Sequence, residues 1–169
     1  MDLRAVQAPI KERYREDAGE ARITLTARAG EADAPVACSV EAGRAIQAAE
    51  AHLGVGGPGT GACSGDLLLG ALAACAQVTC QMVAASMGLE TTRIEVAAEG
   101  ELDLRGTLGV SRDASVGFER IRLRLEIDAP GARADEIESL KAKTERYCTV
   151  LQTLTKPPAI ETTLEARTG

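Results

Sequence analysis

The chain has 169 residues, 45% of them hydrophobic and 26% charged, a balance that fits one globular domain and excludes a disordered chain. A formal net charge of −6 and an aromatic content of 2% argue against nucleic acid as a partner, because phosphates need clustered Lys and Arg and bases need aromatic platforms. With Tyr14, Tyr147 and Phe118 as its aromatics, the core has to be built from Leu, Ile, Val and Ala.

No apolar run is read as reaching the roughly 18–20 residues of a membrane span. The start, Met1-Asp2-Leu3-Arg4, lacks the basic and apolar regions of a signal peptide. The expectation is a cytoplasmic protein with no membrane partner. Its five cysteines (38, 63, 75, 80 and 148) are then reduced at rest, and any disulfide is transient and catalytic rather than structural.

In chain order, residues 1–20 are polar and charged and read as a loose arm or docking segment of a single domain spanning 1–169. Arg22 to Arg28 alternates polar and apolar residues, as a half-buried strand does. Residues 36–40 form a second strand, joined to the first by a hairpin connection over Gly30 to Pro35. Gly54 to Gly61 is a glycine-rich loop without the Lys-Ser/Thr ending of a phosphate loop. It reads as a tight turn that lets backbones approach.

Ser64 is a candidate cap for the helix that follows, with Asp66 in its first turn. This helix runs to about Met87 and stops at Gly88. It is apolar nearly all round from Leu67 to Val83, so it needs a sheet on one side and has room for a second subunit on the other. Residues 92–104 and 118–127 alternate as strands, joined by a loop with three glycines, and pair antiparallel with one wet face. Asp135 to Tyr147 is an amphipathic helix, with Glu138 and Lys141 as a surface pair. Residues 149–155 continue as a short helix or turn. Pro157-Pro158 breaks it, and Ala159 to Glu165 reads as a last strand. The fold class is α+β, an antiparallel sheet around a central hydrophobic helix.

Two cysteines have contexts that suit chemistry. Cys75 sits within the apolar helix, and Cys148 follows Glu145-Arg146-Tyr147 at the end of the amphipathic one. Such a pair is either a redox couple or two small core residues. Cys38 and Cys80 read as packing residues. Cys63, in a glycine-rich loop, reads as exposed, either adventitious or an alternative resolving partner. His52 is the single histidine and has no partner motif. Cys63, Cys75 and Cys80 lack the close paired spacing of a zinc site, so no metal or other cofactor is expected.

These residues together resemble the OsmC/Ohr family of thiol-dependent peroxidases over about residues 22–165. The resemblance is carried by Gly56-Gly57-Pro58-Gly59-Thr60, by Asp66-Leu67-Leu68-Leu69 leading to Ala71-Leu72-Ala73-Ala74-Cys75, by Gly88-Leu89 ahead of a strand from Ile94, and by Glu145-Arg146-Tyr147-Cys148. It implies an intertwined homodimer with active sites at the subunit interface. It also implies a peroxidatic Cys75, a resolving Cys148, a carboxylate at Asp66 and an arginine, Arg28, with Arg22 and Arg44 as alternatives. Leu68, Leu72 and Tyr147 are the expected substrate-binding residues. The partners implied are a hydroperoxide and an external dithiol reductant. A second reading keeps the scaffold without the catalysis, as a binder of a small apolar or acyl ligand between subunits.

The chain departs from the family at the second cysteine. The usual Tyr-Cys-Pro-Val-His/Ser-Asn reads Tyr147-Cys148-Thr149-Val150-Leu151-Gln152, and the usual Glu of the first helix reads as Asp66. A buried thiol needs a positive charge or a helix N-terminus to ionise. Cys75 is mid-helix, so an arginine is expected to supply the charge, held by Asp66. The nine-residue offset (75 − 66) places Asp66 and Cys75 on opposite faces of a straight helix.

Overall fold

The computed structural model describes residues 3–16, 22, 24, 27–31, 37–42 and 45–166. Residues 1–20, expected as a loose arm, contain helix α1 (Leu3–Glu16), which lies against the central helix despite an internal Pro9. Three antiparallel strands follow: β1 (Ala27–Glu31), β2 (Ala37–Ala42) and β3 (Ala45–Glu50), in the order β1-β2-β3. β1 sits several residues later than the alternation of 22–28 suggests. β3 has no counterpart in the sequence reading, because its Ala-rich run holds a single β-branched residue, Ile46, and no aromatic one. The expected hairpin turn over 30–35 falls largely outside the described residues.

The central helix α2 (Ser64–Met87) has 24 residues. Its cap is Cys63, one residue before the expected Ser64, and the Asp66 carboxylate accepts the Cys63 backbone N–H at 2.9 Å. Gly88 ends it in the left-handed region at φ 72, where the amide of Leu89 reaches back to the Ala84 carbonyl. The glycine-rich loop before α2 is the close-packed turn expected. A Cβ on Gly57 would lie 1.7 Å from the Ala51 carbonyl oxygen, so only glycine fits there.

β4 (Arg93–Glu101) and β5 (Arg120–Asp128) pair antiparallel from Arg93↔Asp128 to Glu101↔Arg120. Along both strands exposed and half-buried residues alternate, giving the wet face expected. Arg122 bridges to Glu101 at 2.6 Å on that face, a pair contributing roughly 0–1 kcal/mol. The connection between them holds a one-turn helix, α3 (Leu104–Thr107).

The inner face of β4 and β5 packs on α2, and α4 (Ala134–Tyr147) and α5 (Thr149–Thr155) pack on α2 as well. The core forms two groups. Cys80, Val83, Ala84 and Leu140 gather with Ile94, Leu125 and Ile127; Leu72, Ala76 and Cys148 gather with Val96, Ile121 and Leu123. On α4, Lys141 pairs with Glu145 at 2.6 Å instead of with Glu138, since a four-residue offset aligns the side chains better.

Two expectations fail. Residues 159–165 form no strand: Ile160 is 82% and Leu164 91% exposed, with no sheet edge beside them. And α2 is long and apolar enough to cross a membrane, with a mean hydropathy of 1.7 over its most apolar window. Its small residues interrupt the apolar run to the eye without lowering the mean. One side of this helix is packed on β4, β5, α4 and α5, and Gln77 there donates its side-chain amide to the Ile94 carbonyl at 2.8 Å.

Candidate active site

Cys148 is the elbow between two helices. It ends α4, its own N–H bonding back to the Thr144 carbonyl at 2.9 Å, and it begins α5, its carbonyl accepting from Gln152 at 2.9 Å. Its backbone is extended there (φ −72, ψ 105), which breaks one helix and turns the chain into the next. The Gln152 side chain clamps the elbow by donating to the Glu145 carbonyl at 2.8 Å. The first amides of α5 therefore point out of the helix with no carbonyl of their own to meet.

Cys75 of α2 lies against this elbow, packed with Leu72, Ala76, Cys148, Val150, Leu151 and Leu154. Burial by itself raises its pKa. The backbone N–H of Val150, the Cys148 thiol, the Thr79 hydroxyl and the backbone N–H of Thr149 outweigh burial and hold the Cys75 thiol below the ordinary range. Cys148 moves the other way. Burial pushes it up, and a hydrogen bond and charge repulsion from Cys75 add to that, against the N–H groups of Leu151 and Val150. The two thiols are thus shifted in opposite directions, Cys75 downward and Cys148 upward. Both thiols are free.

The family described as OsmC-like protein matches residues 57–163, from the loop before α2 through the elbow to the C-terminal segment. The chain belongs to the OsmC-like protein family. Its fold is that of an OsmC-like protein from Mycoplasma pneumoniae (18% identity, TM-score 0.67, covering 80% of this chain and 89% of that one). It is also similar to an organic hydroperoxide resistance protein from Elizabethkingia anophelis (19% identity, TM-score 0.60, 80% and 91% covered) and to an OsmC-like protein of unknown function from Vibrio cholerae (13%, 0.64, 78% and 94%). No curated protein matches the chain.

The expected OsmC-like site residues divide into those brought to the pair and those that are not. Asp66 faces the helix start. Its carboxylate is held low by the Cys63 backbone N–H and thiol, with burial opposing, so it serves as a capping residue there. Arg28 lies in β1 opposite Glu41, but its side chain is outside the described residues, as is Arg44; Arg22 is exposed. The positive charge expected of an arginine is met among the described residues by backbone amides of α5. Sequence reading looked only at Cys75's own helix and missed this second helix start. Thr149 was the available signal, since a proline at that position has no N–H to offer.

Leu72 is fully buried in the core beside Cys148, so it is packed away from any ligand. Tyr147 is 59% exposed on the surface, with the Arg146 guanidinium 5.6 Å above its ring. Leu68, 39% exposed, lines a separate cleft at the other end of α2. Cys63 is twelve residues before Cys75 (75 − 63) on the same helix, about 18 Å away along its axis, which rules it out as a resolving partner within one chain. Cys80 is buried next to Thr144, burial raising its pKa, as befits a packing residue. The Cys38 side chain is outside the described residues. Among the described residues no group of three or more His, Cys, Asp or Glu side chains gathers as a metal site would.

Proposed function

We propose that this OsmC-like protein is a thiol-dependent peroxidase that reduces organic hydroperoxides, with Cys75 as the attacking thiolate and Cys148 as the resolving thiol. The observation that carries the reading is that Cys75 of α2 packs against Cys148 at the junction of α4 and α5, two free thiols in one buried group.

In this scheme the Cys75 thiolate attacks the peroxide oxygen. The S–O bond forms as the O–O bond breaks, and the alkoxide leaves as the alcohol after taking a proton. The Cys148 sulfur then displaces water from the Cys75 sulfenic acid to give a disulfide. An external dithiol restores both thiols by exchange and is itself oxidised. Arg28 from the N-terminal strands adds a guanidinium to the thiolate. The reducing cytoplasm suits thiols that must be recovered after each turnover.

A homodimer belongs to the same reading. Val78 is 53% and Met82 40% exposed on the central helix, a face a single chain leaves uncovered. Ile160 and Leu164 in the C-terminal segment, 82% and 91% exposed, are further apolar side chains that a second subunit would cover. Turnover of cumene hydroperoxide with dithiothreitol tests the proposal. Cys75→Ser abolishes it, and Cys148→Ser leaves a single burst that ends in overoxidised Cys75. Full activity in both variants refutes it.

A further inference from the structure

A cleft of about 940 Å³ opens at the N-terminal end of α2, bounded by the loop after β3, the end of β4 and the connection into β5. Neither Cys75 nor Cys148 lines it. Its size falls in the range of small-molecule sites. Leu68, Leu102, Val116 and Phe118 give it an apolar wall.

The wall is built with little freedom. The Phe118 ring sits where side chains are missing on two elements: a Cβ on Gly100 would lie 2.4 Å from it, and one on Gly65 3.3 Å. The ring is thus fixed between β4 and the first turn of α2.

Polar groups line the cleft as well. His52 Nδ1 accepts the Gly54 N–H at 3.0 Å, which leaves the ring proton on Nε2, a donor with no partner among the described residues. The Cys63 thiol, half-buried, also lines the cleft. The two lining carboxylates are already engaged. Glu50 accepts the Gly61 N–H at 2.5 Å and the Thr60 hydroxyl at 3.0 Å, and Glu101 pairs with Arg122. Their negative charge, with Asp66 close by, repels an anionic head group.

We infer that this cleft is a second small-molecule site, for a neutral carbonyl compound with an apolar chain. The chain lies on Leu68, Val116 and Phe118, and the carbonyl oxygen accepts from His52 Nε2–H. Cys63 stands beside the head of such a ligand. An α,β-unsaturated aldehyde held there forms a bond from the Cys63 sulfur to its β-carbon. The carbon–carbon double bond is lost and the thiol proton ends on the α-carbon, with no oxidant needed.

The test uses the full chain, reduced, with trans-2-nonenal as a trapping probe and acrolein as its short-chain counterpart. Peptide mass spectrometry resolves Cys63 from Cys75, so the result at Cys63 stands apart from whether Cys75 reduces hydroperoxides. Relative to free cysteine, Cys63 is expected to react with nonenal about tenfold or more faster than with acrolein, reflecting burial of the longer chain. Excess nonan-1-ol suppresses the reaction, and nonanoate of equal length does not. Leu68→Asp removes the chain-length preference. A Cys63 rate independent of chain length, or unprotected by nonan-1-ol, overturns the site. Equal protection by nonan-1-ol and nonanoate overturns its preference for a neutral head. Both competitors act on the unaltered protein, so the outcome does not depend on the Leu68 variant folding.

Discussion

Cys75 of the central helix packs against Cys148, the elbow between α4 and α5, and this contact helps join the two. It brings the two thiols side by side, and the groups around them shift their pKa values in opposite directions. Burial raises both thiols, but only Cys75 gathers enough donors to reverse it.

The first prediction concerns that order. Alkylation of Cys75 by iodoacetamide should follow an apparent pKa below that of an ordinary thiol, and alkylation of Cys148 one above it, because neighbouring thiols titrate as a pair. The lowered Cys75 stabilises the fold above the unfolded thiol's pKa. That contribution falls away as the pH drops through the folded value. Reaction at equal rates with the same pH midpoint would show that the pair is not polarised.

Thr149→Pro tests the amide donors. Proline suits the first position of a helix, so α5 should form, but the N–H is gone. The Thr149 N–H is the least of the donors to Cys75 and the larger one, from Val150, remains, so the thiolate fraction at neutral pH should fall only modestly. Thr149→Ala keeps the N–H and should keep the reactivity. The comparison of Cys75 alkylation rates in the two variants decides the matter.

Asp66→Ala should cost about 1 kcal/mol of stability, the usual effect of losing a helix-start acceptor, measured as a shift in urea midpoint. Its effect on Cys75 alkylation should be small, since its carboxylate is engaged by Cys63 at the helix start. A large loss of Cys75 reactivity with unchanged stability would assign Asp66 to the site instead.

Leu140→Ala, in the buried group with Cys80 and Val83, should destabilise by about 2–5 kcal/mol in urea unfolding through loss of packing and a cavity. Leu72→Ala should do the same beside Cys148 and should also loosen the elbow, slowing disulfide formation more than it changes Cys75 alkylation.

How much of this was legible in the sequence follows from the range of each interaction. The α2 stop at Gly88 and the alternation of β4 and β5 are local patterns, and they read correctly, as does the place of Cys148 at the end of α4. β3 was lost because Ala45-Ile46-Gln47-Ala48-Ala49-Glu50 has little strand character of its own and depends on β2 for its hydrogen bonds. The tail strand was over-read because Ile160 and Leu164 alternate without an edge to join. The amides that hold the Cys75 thiolate come from residues more than seventy positions away, so no spacing rule on α2 could show them. Thr149 stands where a proline would carry no N–H, so its identity bears on one of those donors.

The central claim is that Cys75 and Cys148 form one redox unit. Peptide mass spectrometry of the reduced protein, seconds after stoichiometric cumene hydroperoxide, tests it most directly. The account predicts a Cys75–Cys148 disulfide with Cys63 and Cys80 unmodified. Unmodified Cys75, or oxidation falling on Cys63 alone, would contradict it.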